Sequence, residues 1–480
     1  MRSTHVFETN LSIETVGLSF LHIRASVRTV LGQKMKSIDS VDANFDSTSY
    51  RAWVLLMLVV VYIFNFIDRQ IIGILAVPIQ AELGLSDTQL SLMGGLAFAL
   101  FYTALGIPIA WLADRSNRTW IMTIALVTWS AMTAVCGMAQ NFMQLFFARL
   151  GVGVGEAGGV APAYSLISDY FPSNQRSRAL GIYAFAIPIG SALGMLLGGV
   201  LTTLVGWRLT FVVVGVLGLA IAPLFKMTVI EPVRGRYDLA TADVTAIPFS
   251  SVIKTLRTKK SFWLLALGGA SSAMMTYGLL FWFPSFLLRS FDSQLITFFS
   301  WLPSYLHADD PTPVLYVSYF YGAILLVGGI GGIWLGAVVT DKLGVADKSI
   351  YGRAPAYAFL GTIPFFLLGI LSDSLVVVFF AFLVIQALSF VMMGPLLSSF
   401  QHIVGPNMRA TASAIALFIN NLVGIGFGSL LIGILSDFLS EQFAEEALRY
   451  SLASGVIFYL VAAFLFLLAA RHLEEDWENK

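Results

Sequence analysis

WVLLMLVVVYIFNFIDRQIIGILAVPIQA, residues 53–81, is an apolar run interrupted by a single Asp-Arg pair. A helix crosses a bilayer core with about 20 apolar residues, and this run exceeds that length. Segments of the same kind follow near 88–113, 119–139, 142–167, 177–205 and 209–230. After a polar, basic stretch, six more lie near 261–290, 314–340, 354–372, 375–401, 410–437 and 447–471. In lipid each backbone polar group must be satisfied within its own segment unless a barrel closes, and these runs are too long and too apolar for barrel strands. The sequence therefore predicts an all-α polytopic membrane protein with about twelve transmembrane helices in two six-helix halves.

Composition agrees. Hydrophobic residues make up 57% and charged residues 12%, against about 25% charged in soluble chains. Lys plus Arg and Asp plus Glu are 28 each, so no net field recruits nucleic acid. Cys136 is the single cysteine, which excludes an internal disulfide, and no Cys/His cluster suggests a metal or cofactor. Residues 1–50 read as a cytoplasmic N-terminal tail without a signal-peptide core, with Met35 an alternative start. Residues 51–230 form the first bundle, 231–260 a cytoplasmic linker, 261–471 the second bundle and 472–480 a cytoplasmic tail. With the N-terminus inside, 23 of the 28 Lys and Arg are cytoplasmic; Arg208, Arg289 and Arg449 fall outside and Arg69 and Arg149 within spans. Both termini are then cytoplasmic, in an inner or plasma membrane.

The halves look duplicated. AWLADRSNR follows the second segment, with Asp114, Arg115 and Arg118, and GAVVTDKLG follows the eighth, with Asp341 and Lys342. NQRSRALG, with Arg178, follows the fourth segment and PNMRATAS, with Arg409, the tenth. Asp114 to Arg178 is 64 residues and Asp341 to Arg409 is 68, so the motifs recur in step.

These motifs resemble the major facilitator superfamily, whose loop between helices 2 and 3 carries a G-x-x-x-D-R-x-G-R-R pattern. Ala110 and Asn117 stand where that pattern has glycine, which weakens the expectation of close backbone contact there. A narrower resemblance, to the Spinster group of sphingolipid and lysolipid transporters, rests on NFIDRQ (Asn65–Gln70), RLGVGVGEAGGVAP (Arg149–Pro162), QRSRALGIYAFAIPIGSALG (Gln175–Gly194) and FWFPSFL (Phe281–Leu287). The first two also fit organic anion symporters of the superfamily. The resemblance implies a transporter working by alternating access, expected as a monomer. It also makes Asp114, Arg115, Arg118, Arg178, Asp341 and Arg409 a cytoplasmic gate. Positive-inside topology explains the same basic residues singly.

Asp68, Arg69, Arg149 and Glu156 are the strongly ionisable residues deep within spans, and all lie in the first half. Such charges are costly in a bilayer and normally face water or each other. Arg149 and Glu156 are two turns apart on one helix face. Asp68 and Arg149 fall at similar depth. Asp68 and Glu156 are the expected proton-coupling carboxylates; Arg69 and Arg149 are expected to bind substrate, as partners of a carboxylate or of an anionic headgroup, with Glu156 the alternative partner of Arg69. The second half offers Thr276, Tyr277, Trp282, Gln386, Asn420 and Asn421 as a polar, aromatic binding wall, though such residues also serve as interhelical glue. A charged wall facing an aromatic one suits an amphipathic, lipid-like anion coupled to protons; the rival is a small polar carboxylate. No Ser/His, His/Asp or Glu-x-x-His set supports an enzyme. Gly190, Gly194 and Gly198, and likewise Gly328, Gly332 and Gly336, make smooth faces. The superfamily resemblance implies that helix 5 lies against helix 8, so these faces are expected as a sliding surface there, or equally as static packing.

Overall fold

The computed structural model describes residues 47–113, 115–237, 249–302, 313–344, 347–405 and 408–478. The described residues up to Leu56 form one unit, helical from Thr48, and those from Met57 onward form a second compact unit. Among the described residues, nine helical runs are long and apolar enough to cross a membrane. Arg178–Thr228 and Thr411–Ala470 are each double-length. A further crossing is made by Phe142–Glu156 and Val160–Tyr170, separated by a turn. The described chain therefore crosses twelve times.

The spans are α1 (Thr48–Ile74), α2 (Asp87–Ala113), α3 (Arg118–Cys136), α4 (Phe142–Glu156 with Val160–Tyr170), α5 (178–205) and α6 (207–228). The second six are α7 (Lys260–Ser290), α8 (Pro313–Leu343), α9 (Ile350–Leu371), α10 (Leu375–His402), α11 (Arg409–Phe443) and α12 (Ala447–Ser454 with Val456–Ala470). The turn between α5 and α6 is one residue, Gly206, at φ 77°, a conformation that disfavours any residue with a Cβ. Asn117, standing where the superfamily pattern has glycine, has φ −70° and caps α3 by accepting from the Trp120 amide. That position needs no glycine here.

The glycine stripes have other partners than the sequence suggested. A Cβ at Gly190, Gly194 or Gly198 would strike Phe66, Gln70 or Ile74 of α1, and one at Gly328, Gly332 or Gly336 would strike Gln386, Ala387 or Val391 of α10. Both stripes thus pack within their own half. The α5–α8 contact uses a neighbouring face instead, Pro188 against Gly329 and Leu196 against Gly322.

The C-terminal segment is docked rather than trailing. Asp476 accepts from the Ser261 amide and hydroxyl at 2.8 and 2.7 Å, capping α7. Trp477 is buried between the His402 and Tyr351 rings, at 4.9 and 5.1 Å. Of the expected tail, residues 472–478 pack on the C-terminal half, where His402 is half-buried. The expected N-terminal tail up to residue 46 and linker residues 238–248 lie outside the described residues.

Candidate functional site

Glu156 is the last residue of the first half of α4, where GEAGG gives way to a tight turn closed by Gly159 N–H to the Glu156 carbonyl at 3.0 Å. A helix broken at depth beside an ionisable residue is the arrangement transporters use to build sites. The Glu156 carboxylate is fully buried and accepts from Arg69 Nε of α1 at 2.7 Å. The Arg69 guanidinium also lies over the rings of Phe66, Phe98 and Tyr102, at 5.2, 4.9 and 4.6 Å, which offsets part of its desolvation. Two turns away on α4, Arg149 Nη1 donates to the Asp68 backbone carbonyl at 3.3 Å. Thus the four intramembrane charges gather where α1 meets α4. Arg69 takes Glu156 as its partner, and Arg149 grips the Asp68 backbone rather than closing a carboxylate pair.

A cavity of about 30 Å³ adjoins this cluster, walled by Arg69, Arg149 and Phe98 on the first half and Tyr277, Phe281 and Ser429 on the second. It has room for little more than a water or two. Among the expected binding residues, Tyr277 reaches it. Trp282 is buried behind it, donating to the Ser429 carbonyl at 2.9 Å. Thr276 donates back to the Ser272 carbonyl at 3.1 Å. Gln386 packs against Gly328 of α8, and Asn420 and Asn421 are half-buried on α11; none of the three lines this cavity.

The expected gate residues do not all meet. Arg118 is buried and held inside its own half by Asp169, by Glu231 at 2.6 Å and by the Ser165 hydroxyl at 2.7 Å. Arg115 lies over the Trp111 ring at 4.1 Å, Arg178 is exposed and Arg409 half-buried. Asp114 and the side chain of Asp341 lie outside the described residues.

At the end of the bundle away from the termini, a second network crosses between the halves. Arg289 of α7 holds Asp87 at the start of α2 at 2.7 Å and Gln80 at 2.9 Å. Asp437 of α11 accepts from the backbone amides of Asp87 and Thr88 at 3.1 and 2.8 Å, and Ser436 donates to Asp87 at 2.7 Å. Close approach continues along α2, through a wide helical turn at Leu92–Leu96. A Cβ at Gly94 would stand 2.1 Å from Phe281, and one at Gly95 2.3 Å from Ser429. The sequence reading missed this latch. A signal was present: the tripeptide Leu-Ser-Asp recurs at 85–87, 371–373 and 435–437, each time at this end of the bundle.

Residues 58–429 match the family model described as Major Facilitator Superfamily. The chain belongs to that superfamily. Among its relatives, an MFS-type efflux pump of Mycolicibacterium smegmatis is 30% identical over 431 residues, covering 89% of this chain and 94% of that one. Protein spinster homolog 1 of Homo sapiens is 28% identical, with 88% of this chain and 81% of that one covered. A solved structure of a bacterial homologue of the human lysosomal transporter Spinster, inward-facing and unoccupied, superposes with a TM-score of 0.78 at 30% identity, over 90% of this chain and 100% of that one. The same homologue in an occupied inward-facing conformation gives 0.74. This superfamily member is therefore Spinster-like, a transporter and not an enzyme.

Proposed function

We propose that this chain is a proton-coupled secondary transporter of an amphipathic, anionic, lipid-like molecule of the sphingolipid or lysophospholipid type. The observation that carries the reading is the Arg69–Glu156 pair, buried at a cavity wall whose opposite side is aromatic and apolar. A guanidinium at such a wall suits a phosphate or carboxylate headgroup, and Phe281, Leu280 and Ile425 suit a tail. Protonation of Glu156 weakens its hold on Arg69 and frees the guanidinium for the headgroup; loss of the proton restores the pair and expels the anion. Asp68, buried beside Arg149, is the second carboxylate of the switch. With both termini cytoplasmic, in an inner or plasma membrane, the latch of Asp87, Arg289 and Asp437 closes the outer face, and the chain rests inward-facing as a monomer.

The test is reconstitution in liposomes with a fluorescent lysophospholipid. Asp68→Asn is expected to fold and insert while losing pH-dependent transport, since it removes a titrating group without removing bulk. Equal proton-driven uptake by wild type and variant would sink the switch. Competition by hexuronates or dicarboxylates, with no lysolipid movement, would favour a small polar carboxylate as substrate.

A further inference from the structure

Asn65 precedes Asp68 by three residues and Arg69 by four, so its side chain neighbours each of them on the surface of α1. It is 2% exposed, and both its amide oxygen and its amide nitrogen lack a hydrogen-bond partner. Buried amides normally close at least one such bond. Its neighbours are in the same condition: Asp68 Oδ1, Glu156 Oε1, Arg69 Nη2, Arg149 Nε and, on α3, Thr133 Oγ1 are buried and unpartnered. Asn65 faces the Glu156 carboxylate, Thr133 faces Asp68, and the two carboxylates interact with each other, all without closing a direct bond. The remaining titratable and charged groups around them are Arg69, Arg149, Cys136, Tyr102 and Tyr277. An asparagine serving only as glue between helices closes its hydrogen bonds across the interface. This one leaves its amide unbonded beside two acids, so that one intervening water would have several partners at once.

We propose that Asn65 is a positioning residue which, through water bound to its amide, passes a proton between Asp68 and Glu156. The step conserves charge and breaks only O–H bonds. Asp68 Oδ1 gives its proton to the water, and the water gives one of its own to Glu156 Oε1. The amide orients the water by accepting and donating, and keeps its own protons. Glu156 Oε2 remains on Arg69 Nε, so arrival of the proton at Oε1 loosens the ion pair that faces the cavity. This inference rests on the proton-coupled reading and adds to it the route by which two carboxylates on different helices act on one arginine.

Hydrogen–deuterium exchange of the Asp68 carboxyl band, followed by infrared spectroscopy on the reconstituted full chain, tests it without any substrate. The band is assigned by its loss in Asp68→Asn. Asn65→Leu is expected to slow its exchange on the order of a hundredfold, the range over which positioned groups assist proton transfer. Asn65→Ser, which keeps a hydroxyl and leaves space for water, is expected to restore it. Should the leucine variant fail to insert, Asn65→Val gives the same reading. Unchanged exchange in the apolar variant overturns the proposal, as does slowing that serine does not relieve. If no carboxyl band at any pH depends on Asp68, the proton-coupled reading itself falls, an outcome distinct from either result at Asn65.

Discussion

The two halves are built by the same backbone devices and given opposite chemistry. In the first, α5 lies close on α1 through Gly190, Gly194 and Gly198; in the second, α11 lies close on α7 through Gly424 and Gly428, whose added Cβ atoms would meet Ala273 and the Met274 backbone. α4 is broken at residues 157–159 and α10 at 391–392. Yet among the described residues every charged side chain in the deeply buried class belongs to the first half: Asp68, Asp87, Arg118, Arg149, Glu156 and Asp169. Buried polar side chains of the second half are serine and threonine, such as Ser389 against the Tyr459 hydroxyl at 3.1 Å. The repeated backbone devices therefore supply a common scaffold, while the buried charges sit on one side of it. The second half thereby avoids a second set of desolvated charges.

The largest effect separates the halves by charge. Glu156→Gln strands the Arg69 guanidinium in a desolvated place, at a cost of about 3–5 kcal/mol, while removing both partners together costs less. Thermal unfolding in detergent and proton-driven transport are expected to show strong loss in Glu156→Gln and partial recovery of stability in Glu156→Gln with Arg69→Gln. Arg149→Gln, whose side chain meets a carbonyl instead, is expected to give no such recovery. Recovery with Arg149 and not with Arg69 would reverse the pairing. Changing the neutral Ser389 to Ala of the second half should cost only the small net value of one hydrogen bond, about 1 kcal/mol.

An intermediate effect tests the likeness of the halves. Leucine at Gly194 must displace Gln70 and the Ile67 backbone, 2.9 and 3.0 Å from its Cβ; leucine at Gly428 must displace the Met274 carbonyl, 2.2 Å away. Overpacking of this kind costs about 1–3 kcal/mol. Both variants are expected to lower the unfolding temperature, whereas Gly331→Leu, with nothing within 4 Å, leaves it unchanged. A drop in transport rate at full stability in Gly194→Leu would favour a sliding role for that stripe over static packing.

The spans and the four intramembrane charges were legible because each is a departure from its surroundings: a charge in an apolar run is visible in one dimension. Partner choice was not. Arg69 neighbours Asp68 in sequence, but successive helical residues point about 100° apart, and only the packing of α1 on α4 decides that Arg69 meets Glu156. The glycine stripes announced close packing yet not against which helix, since a smooth face fits any neighbour. Its motif marks Arg118 as a gate residue, but its partner Glu231, 113 residues on, was not legible. Arg289 counted only as an outside charge, because its partner Asp87 lies 202 residues away at another helix end. Asp476 and Trp477 read as tail because a short polar C-terminus carries no periodicity, and their roles exist only against α7 and α10.

The smallest effect lies where the halves meet. Asp437 belongs to the second half but its carboxylate caps the first turn of α2 in the first, receiving two backbone amides that have no partner within their own helix. Asparagine there retains one acceptor oxygen and loses the charge that suits a helix N-terminus, a change of about 1 kcal/mol. Since 1.4 kcal/mol is a tenfold change in an equilibrium, Asp437→Asn is expected to raise the population open at this end by roughly fivefold. Spin labels at Ala81 and Glu441, both exposed at that end, would read the shift as a second, longer distance. Arg289→Gln should open it further, because it leaves the buried Asp87 carboxylate without its ion pair. If Asp437→Asn leaves the distance distribution unchanged while Arg289→Gln widens it, the ion pair alone holds the halves together and the cap serves only α2. If neither moves it, the glycine-lined contact of α2 with Phe281 and Ser429 closes this end without electrostatic help.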